Sequence, residues 1–583
     1  MAVEDLSHTP AERAAAEATK PAKVDEAAAF ADAPEEPAVG AGDGQHIVVV
    51  GAGLVGALCT VVLLRKGFKV HVYERYADIR SIPSVGRSIN LSVTSRGLRA
   101  IRALGGSLYE DMLGLATKIR GRIIHMPDGK VVFQRYGKDD SECNYSISRI
   151  ELNKFLIDVA AREGAEFHFD HAMSETSDFV GCAEPAPKRH AAVGEGGEPR
   201  VSASKELVGC MLHFTKGPPS KPELQRRVRV PVCCPVIACD GAGSRVRYAL
   251  QRAGLTTFTE DILTRGYKEV LFPNPGENHF GATGEHGGEA CHGAYGLHIW
   301  PRGDHMLMAL ANRDGSFTGT IYMDNHGPTE SFEAMTDTPE GRAKCTEFCE
   351  KYYKEAVPLV GGMETLVNQI TKNPTGILGT VRTSTWAVQG KVVLIGDACH
   401  AMVPFFGQGC NCGFEDTLWL SRLLDQHCGV DGKCKPEKCT PENFAACFAD
   451  LEKERKPNAD AICDMALENF VEMSDKTGDV KFQSLKKVEN RLENCFPKKF
   501  RSRYAMVCYG GEGNVSYANA KALGLVQQRI LEKLYEGASG ACGPDGQPFD
   551  PSKVNLAEAE RLIDEVLGPK HEALKIDLST VKH

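Results

Sequence analysis

What the chain lacks sets its class. No secretory signal precedes its 21 cysteines, which are scattered through 583 residues, so reduced thiols in an intracellular compartment are expected. CxxC pairs and histidines at zinc spacing are absent. The nearest approach to a cluster is Cys428, Cys434 and Cys439, and no metal is expected. Basic charge is not in excess: a formal net charge of -9 leaves no footprint for nucleic acid. Residues 1–44 contain almost no large apolar side chains and are expected to form a disordered tail. Acids there outnumber Arg13, Lys20 and Lys23, the reverse of a mitochondrial transit peptide. No run of about 20 apolar residues closes the chain either. Lys521, Arg529, Glu532, Lys533 and Glu536 interrupt the apolar positions of its last part. A soluble, cytoplasmic protein is expected, with membrane contact confined to the surface of a helix near Leu523 to Leu534. The length implies two or more domains.

What is present is organised around Ile47 to Glu74. Four apolar residues, Ile47 to Val50, run into Gly51-Ala52-Gly53-Leu54-Val55-Gly56, the pattern of a buried strand turning into a helix. Ile47 to Leu64 carries no charge and has the length of a membrane helix, but the glycine spacing favours strand, turn and helix. Gly51 permits the tight turn, Gly53 lets the backbone approach a pyrophosphate, and Gly56 lets the helix pack on the strand. The phosphates would meet the free N–H groups of the helix start. A second strand, Lys69 to Tyr73, ends in Glu74, placed to accept from ribose hydroxyls. The pattern specifies a dinucleotide without choosing FAD over NAD.

Further along, Ser95 to Leu104 reads as helix. Thr117 to His125 and Lys130 to Tyr136 read as strands around the turn Pro127-Asp128-Gly129. If the loop brings Pro127 opposite Val131, Arg122 and Tyr136 are cross-strand neighbours. A register one residue tighter puts them on opposite faces. A helix follows from Arg149, and residues 181–199 read as a surface insertion. Val236 to Cys239 is a strand delivering Asp240-Gly241, Ser244 and Arg247. Strands dominate Gly266 to Met323, a helix spans Thr338 to Glu355, and the strand Lys391 to Ile395 ends in Gly396-Asp397. The remainder is mostly helical and has no second glycine-rich phosphate loop, so nothing in it selects NADPH over NADH. Ile462, Met465, Ala466, Asn469, Phe470 and Met473 form one helical stripe, which puts Asn469 on an apolar face, where a satisfied core amide is the plain alternative to a ligand.

Three distant segments, the glycine turn with Glu74, the DGxxSxxR of Asp240 to Arg247 and the GD of Gly396-Asp397, together resemble the flavoprotein aromatic hydroxylases, the single-component FAD and NAD(P)H monooxygenases. GRSINL at Gly86 to Leu91, LHIWPR at Leu297 to Arg302, VPFFGQG at Val403 to Gly409, GFED at Gly413 to Asp416 and MALENFVEM at Met465 to Met473 narrow the likeness to the members acting on an amino acid with an aniline ring. It extends from about His46 to Tyr509. The resemblance implies an α/β fold: a Rossmann-like FAD-binding domain, a β-sheet substrate domain and a helical C-terminal region. The FAD-binding domain would occupy about 45–115, 137–260 and 375–425, interleaved with the sheet at about 116–136 and 261–374, with the helical region from 426 to 583.

The resemblance further implies hydroxylation of L-kynurenine ortho to its amine, with NADPH as reductant and O₂ captured as a flavin C4a-hydroperoxide. By motif, Gly51, Gly53, Val55, Gly56, Glu74, Arg75, Ser92, Arg149, Asp240, Asp397, Gly409, Cys410 and Asn411 would hold FAD. Arg122, Tyr136, Asn469 and Tyr504 would grip the substrate carboxylate, and Pro404, Phe405 and Met473 would line the ring pocket. The helix start after the GD segment would stabilise negative charge on reduced flavin. Cys399, Cys410 and Cys412 depart from the small or Met residues usual around the flavin loop and raise the question of oxidation. His400 lies beside Asp397, but this hydroxylation needs no base there. A hydroxylase acting on another aromatic acid, and a flavin-binding redox regulator with cysteine sensors, are the alternatives to this reading.

Overall fold

The computed structural model describes residues 28–40, 45–81, 89–137, 141–179, 209–273, 296–474, 480–537 and 550–582. The insertion at 181–199 and the Gly86 to Ser88 part of the GRSINL motif lie outside them.

The chargeless stretch divides as expected into the strand His46–Val50 and the helix Leu54–Arg65, both almost wholly buried. No helix among the described residues is long and apolar enough to cross a membrane. The strand sits inside a six-stranded sheet, flanked by Val236–Ala238 and Lys69–Tyr73 in parallel register, with Val392–Leu394 and Glu166–His168 outside them. Strands this central are covered on both faces, which is why Ile47 to Val50 read as a continuous apolar run.

A second, seven-stranded sheet is built from Gly376–Thr383, Phe258–Phe272, Phe317–Asp324, Met306–Ala311, Gly296–Pro301, Gly121–His125 and Val131–Arg135, in that spatial order. The stretch Thr117 to His125, expected as one strand, is two. Thr117–Ile119 pairs with Asn144–Ser148 in a small sheet, and the chain crosses at Arg120 so that Gly121–His125 joins the large one. Gly121 allows the crossing, since a Cβ there would lie 2.4 Å from the Gln134 carbonyl oxygen.

The hairpin has neither register considered from the sequence. His125 faces Val131 and Arg122 faces Gln134, while Tyr136 donates its N–H to the Arg120 carbonyl. The turn closes as Met126-Pro127-Asp128-Gly129, with Gly129 donating to the Met126 carbonyl. The slip from the looser register is two positions, not one, so Arg122 and Tyr136 keep a common face as diagonal neighbours.

One other expectation changes. Residues 28–40 are not a free tail: Phe30 is buried and stacks on His213 at 4.8 Å, and Val39 and Glu36 donate to the carbonyls of Pro231 and Arg229. A few apolar side chains suffice here because the edge of Arg226–Val232 supplies backbone partners. In the helix Tyr517–Gly537, Leu523, Ile530, Leu531 and Leu534 are buried against the core, and Leu525 is exposed.

The C-terminal helices are joined to the helices Gly409–His427 and Ser95–Leu104 by buried charges. Glu415 and Asp416, of the helix Gly409–His427, face Arg455 of the helix Pro441–Ser474. Arg455 donates Nη1 to Glu415 at 2.7 Å and Nε to Asp416 at 2.8 Å. Arg96, of the helix Ser95–Leu104, donates to the other Glu415 oxygen at 2.9 Å and to the carbonyls of Met506, Val507 and Val515. These side chains are at most 6% exposed, so each lost partner leaves an unpaired charge in low dielectric. Arg455→Leu is expected to lower stability to urea by about 3–5 kcal/mol. Arg455→Lys should recover only part of it, because an ammonium lacks the fork that spans two carboxylates.

Candidate flavin and substrate site

Two cavities share the wall formed by Gly53, Arg149, Cys239 and Gly241: one of about 760 Å³ over the glycine turn and one of about 300 Å³ between the two large sheets. At the turn, Gly51 has φ +98°, and a Cβ on Gly56 would stand 2.0 Å from the Gly51 carbonyl oxygen. A Cβ on Gly53 would meet no protein atom within 4 Å. The turn is therefore closed on the protein side and open on the cavity side, as a pyrophosphate requires. Glu74 lines the larger cavity with its carboxylate fixed by the N–H groups of Ala52 (2.7 Å) and Tyr76 (3.0 Å), and Arg75 lies beside it. Asn153, which no local pattern marks, donates to the Ala52 carbonyl at 3.0 Å and steadies the turn.

Asp240 stands in the wall of the larger cavity, but both its oxygens serve the following helix Arg245–Arg252. They accept from the Ser244 hydroxyl at 2.6 Å and the Val246 N–H at 3.2 Å, and burial raises its pKa. The motif's Arg247 reaches across to donate to the Ala398 carbonyl at 2.9 Å and to Glu260 at 2.7 Å. DGxxSxxR thus ties one cavity wall to the GD segment.

Gly396 has φ +63° and packs on Val55, and its N–H donates to Asp416 at 3.0 Å. This aims the half-buried Asp397 into the smaller cavity. The helix Gly409–His427 begins at the same cavity. Its first intrahelical bond is Cys412 N–H to the Gln408 carbonyl, and no side chain caps it. The N–H groups of Gly409, Cys410 and Asn411 are thereby left for a ligand and carry the positive end of the helix dipole. The Asn411 side chain is spent internally: it accepts from Thr94 N–H and donates to the carbonyls of Ser92 and Gly407, binding three loops together. Of the three cysteines, Cys399 and Cys412 are fully buried. Cys410 reaches the cavity, and burial pushes its thiol up to about 12, away from the reactive thiolate.

At the far end of the smaller cavity, Arg122 lies with its guanidinium carbon 5.8 Å from the Tyr136 ring centroid and 5.4 Å from that of Tyr504. The two rings stack at 5.0 Å. Asn144, an unheralded residue of its strand, donates to the Tyr504 hydroxyl at 2.9 Å and accepts from Tyr509. Among the described residues no carboxylate comes within ion-pair distance of Arg122, and its buried Nε has no hydrogen-bond partner. Burial acts to lower its pKa, but the Tyr136 and Tyr504 hydroxyls and the field of Glu472 outweigh this and hold it raised. Glu472 itself faces Arg503 at 3.5 Å and Lys486 at 3.7 Å.

Pro404, Phe405 and Phe406 line the same cavity, Phe405 against Phe470 at 4.3 Å. Asn469 donates to the Phe405 carbonyl at 2.8 Å, so part of its amide braces the ring wall. It borders a small recess behind Arg122 rather than the cavity itself. Met473 lies on the same helix, with its side chain outside the described residues. His400 turns away from the cavity and contacts Asp416 at 2.6 Å.

The FAD binding domain family matches residues 232–433. The fold is shared with 2-methyl-3-hydroxypyridine-5-carboxylic acid oxygenase (TM-score 0.51, 17% identity, 75% of this chain and 94% of that one). It is shared as well with P. aeruginosa PqsL, solved in complex with 2-aminobenzoylacetate (TM-score 0.50, 16% identity, 74% and 97%). Fold and site together define a flavoprotein monooxygenase of the aromatic hydroxylase fold. Over 526 residues the chain is 37% identical to a kynurenine 3-monooxygenase of Myxococcus xanthus, covering 90% of this chain and 96% of that protein. Against the Dictyostelium discoideum protein of the same name it is 33% identical over 527 residues, covering 90% and 98%. The chain belongs to the kynurenine 3-monooxygenase family.

Two outcomes test this geometry. Asp397→Ala is expected to purify with little FAD, since a charged hydrogen-bond partner contributes about 1.5–3 kcal/mol, read as flavin absorbance per protein. The second concerns pH. Burial opposes charge on His400, but Cys412 and Asp416 outweigh it and raise its pKa well above the ordinary value, while Asp416 is lowered. The pair's contribution to stability is then complete between about pH 4 and 6.5 and declines as pH rises through the folded His400 value. The stability gap between the parent and His400→Asn should narrow above that window.

Proposed function

We propose that this protein hydroxylates L-kynurenine to 3-hydroxykynurenine with FAD as bound cofactor and NADPH and O₂ as co-substrates. The observation that carries the reading is Arg122: a buried guanidinium without a carboxylate partner, set beside two stacked tyrosines at the end of an apolar cavity. A buried cation is stable only when paired, and a substrate carboxylate completes the pair.

In this reading the glycine turn, Glu74 and Arg75 hold the adenosine and pyrophosphate end of FAD. Asp397 and the free N–H groups of Gly409, Cys410 and Asn411 hold the flavin end, with Val55, Ser92 and Arg149 between. Once reduced by NADPH and exposed to O₂, bound FAD supplies an electrophilic oxygen atom. The substrate's own amine activates the ring position, so the protein contributes placement and exclusion of water. Arg122, with the Tyr136 and Tyr504 hydroxyls, fixes the carboxylate. Pro404, Phe405 and Phe406 wall the ring, and Asn469 holds Phe405 in position from behind. His400, engaged with Asp416, takes no proton from substrate. The chain divides into the interleaved FAD-binding and substrate-sheet segments set out above, closed by the helical region from 426.

Arg122→Met keeps the length of the side chain and removes its charge. The loss is about 2–5 kcal/mol for a buried pair, or roughly 30-fold to several-thousand-fold in kcat/KM for kynurenine. FAD content should be unchanged, and NADPH oxidation should lose its stimulation by kynurenine or yield hydrogen peroxide instead. Near-native kcat/KM in this variant, or a principal defect in FAD retention, contradicts the reading.

A further inference from the structure

At the outer edge of the six-stranded sheet, away from the cavities' catalytic end, imidazoles line one face. The parallel register sets His71 opposite Glu166 and Tyr73 opposite His168. With a side-chain period of two, His71, Glu166 and His168 therefore point the same way. His71 Nδ1 lies 3.2 Å from one Glu166 oxygen, and His168 Nε2 lies 3.2 Å from the other. The three ligand atoms fall within 4.8 Å of one another.

Neither 3.2 Å contact is a hydrogen bond: both ring nitrogens are buried and unpartnered although the carboxylate oxygens are close. The two rings lie nearly parallel, 15° apart, with centroids 6.0 Å from each other. Two ligands of a tetrahedral zinc, each about 2.0–2.2 Å from the ion, are separated by about 3.3 Å, close to what is seen here. The other ring nitrogen of His71 is held by His46 at 2.9 Å, the outer-shell contact that fixes tautomer and ring plane in metal-binding histidines. The Glu166 side chain is 61% exposed, leaving a path for an ion and room for water as a further ligand.

We infer that His71, Glu166 and His168 form a binding site for a divalent transition ion of the zinc class, with His46 as its positioning residue. The sequence conceals it because His71 and Glu166 are far apart in the chain and follow no zinc spacing.

The test is titration of the chelator-stripped full-length holoenzyme with Zn²⁺ by calorimetry and with Co²⁺ by absorption. One saturable equivalent is expected, with a cobalt spectrum free of thiolate-to-metal charge transfer. Glu166→Ala and His168→Ala should each weaken it at least tenfold, and His46→Ala by about tenfold. Glu166 is exposed and its loss threatens no packing, so that variant remains informative if His168→Ala folds poorly, as judged by FAD content. No saturable binding, equal affinity in Glu166→Ala, or a thiolate band assigning the ion to the cysteines would each overturn the inference.

Discussion

The pairing of Asp416 with Arg455 and His400 is the interaction on which the remaining geometry depends. One Asp416 oxygen accepts from the Gly396 N–H as well as contacting His400, so the turn that presents Asp397 is set by a charge buried behind it. The next residue, Glu415, draws in Arg96 and, through Arg96, the carbonyls of the C-terminal chain. An apolar core of the same volume could be as stable, but it would not specify which helix faces which turn. Here the directionality of charge-assisted hydrogen bonds fixes the turn at Gly396 and the C-terminal helices relative to each other.

Around that brace, the polar groups divide into those already satisfied and those left for a ligand. Asp240 and Asn411 spend their side chains on protein partners and act by holding loops in place, and Arg247 does so through its two Nη atoms. The open backbone at Gly53, the uncapped start of the helix Gly409–His427 and the Nε of Arg122 are the features without a protein partner, and they lie at the two adjoining cavities. Buried polar groups are ordinarily paired, so this distribution marks where a charged, elongated ligand belongs.

The legibility of these features in the sequence follows the range of the forces that make them. The glycine turn and the strand ending in Glu74 are local, and the backbone geometry there follows from the spacing: Gly51 at positive φ, Gly56 against the Gly51 carbonyl, Gly53 with open space beside it. The helices Ser95–Leu104 and Arg149–Arg162 are marked by their own periodicity or start signal. The hairpin register was not legible, because it depends on how many residues the turn at Pro127 consumes, although the shared face of Arg122 and Tyr136 survives any even slip. The break at Arg120 and the ordering of residues 28–40 come from strands distant in the chain that offer backbone partners. Asn469 shows the same limit: its apolar stripe is visible, but its bond to the Phe405 carbonyl exists only once two distant segments meet. The site residues named from family motifs lie at the two cavities or next to them, apart from Met473, whose side chain is outside the described residues. The motifs alone did not distinguish residues that face the cavity from those that hold others there.

The function proposed above requires one oxygen atom of dioxygen to reach the ring of L-kynurenine. Mass spectrometry of the product formed from L-kynurenine, NADPH and isotopically heavy dioxygen tests it most directly. The expected product is 3-hydroxykynurenine carrying a single heavy oxygen on the ring, formed in step with NADPH consumption that depends on kynurenine. Unmodified kynurenine with unstimulated NADPH oxidation, or a hydroxyl oxygen drawn from water, would contradict it.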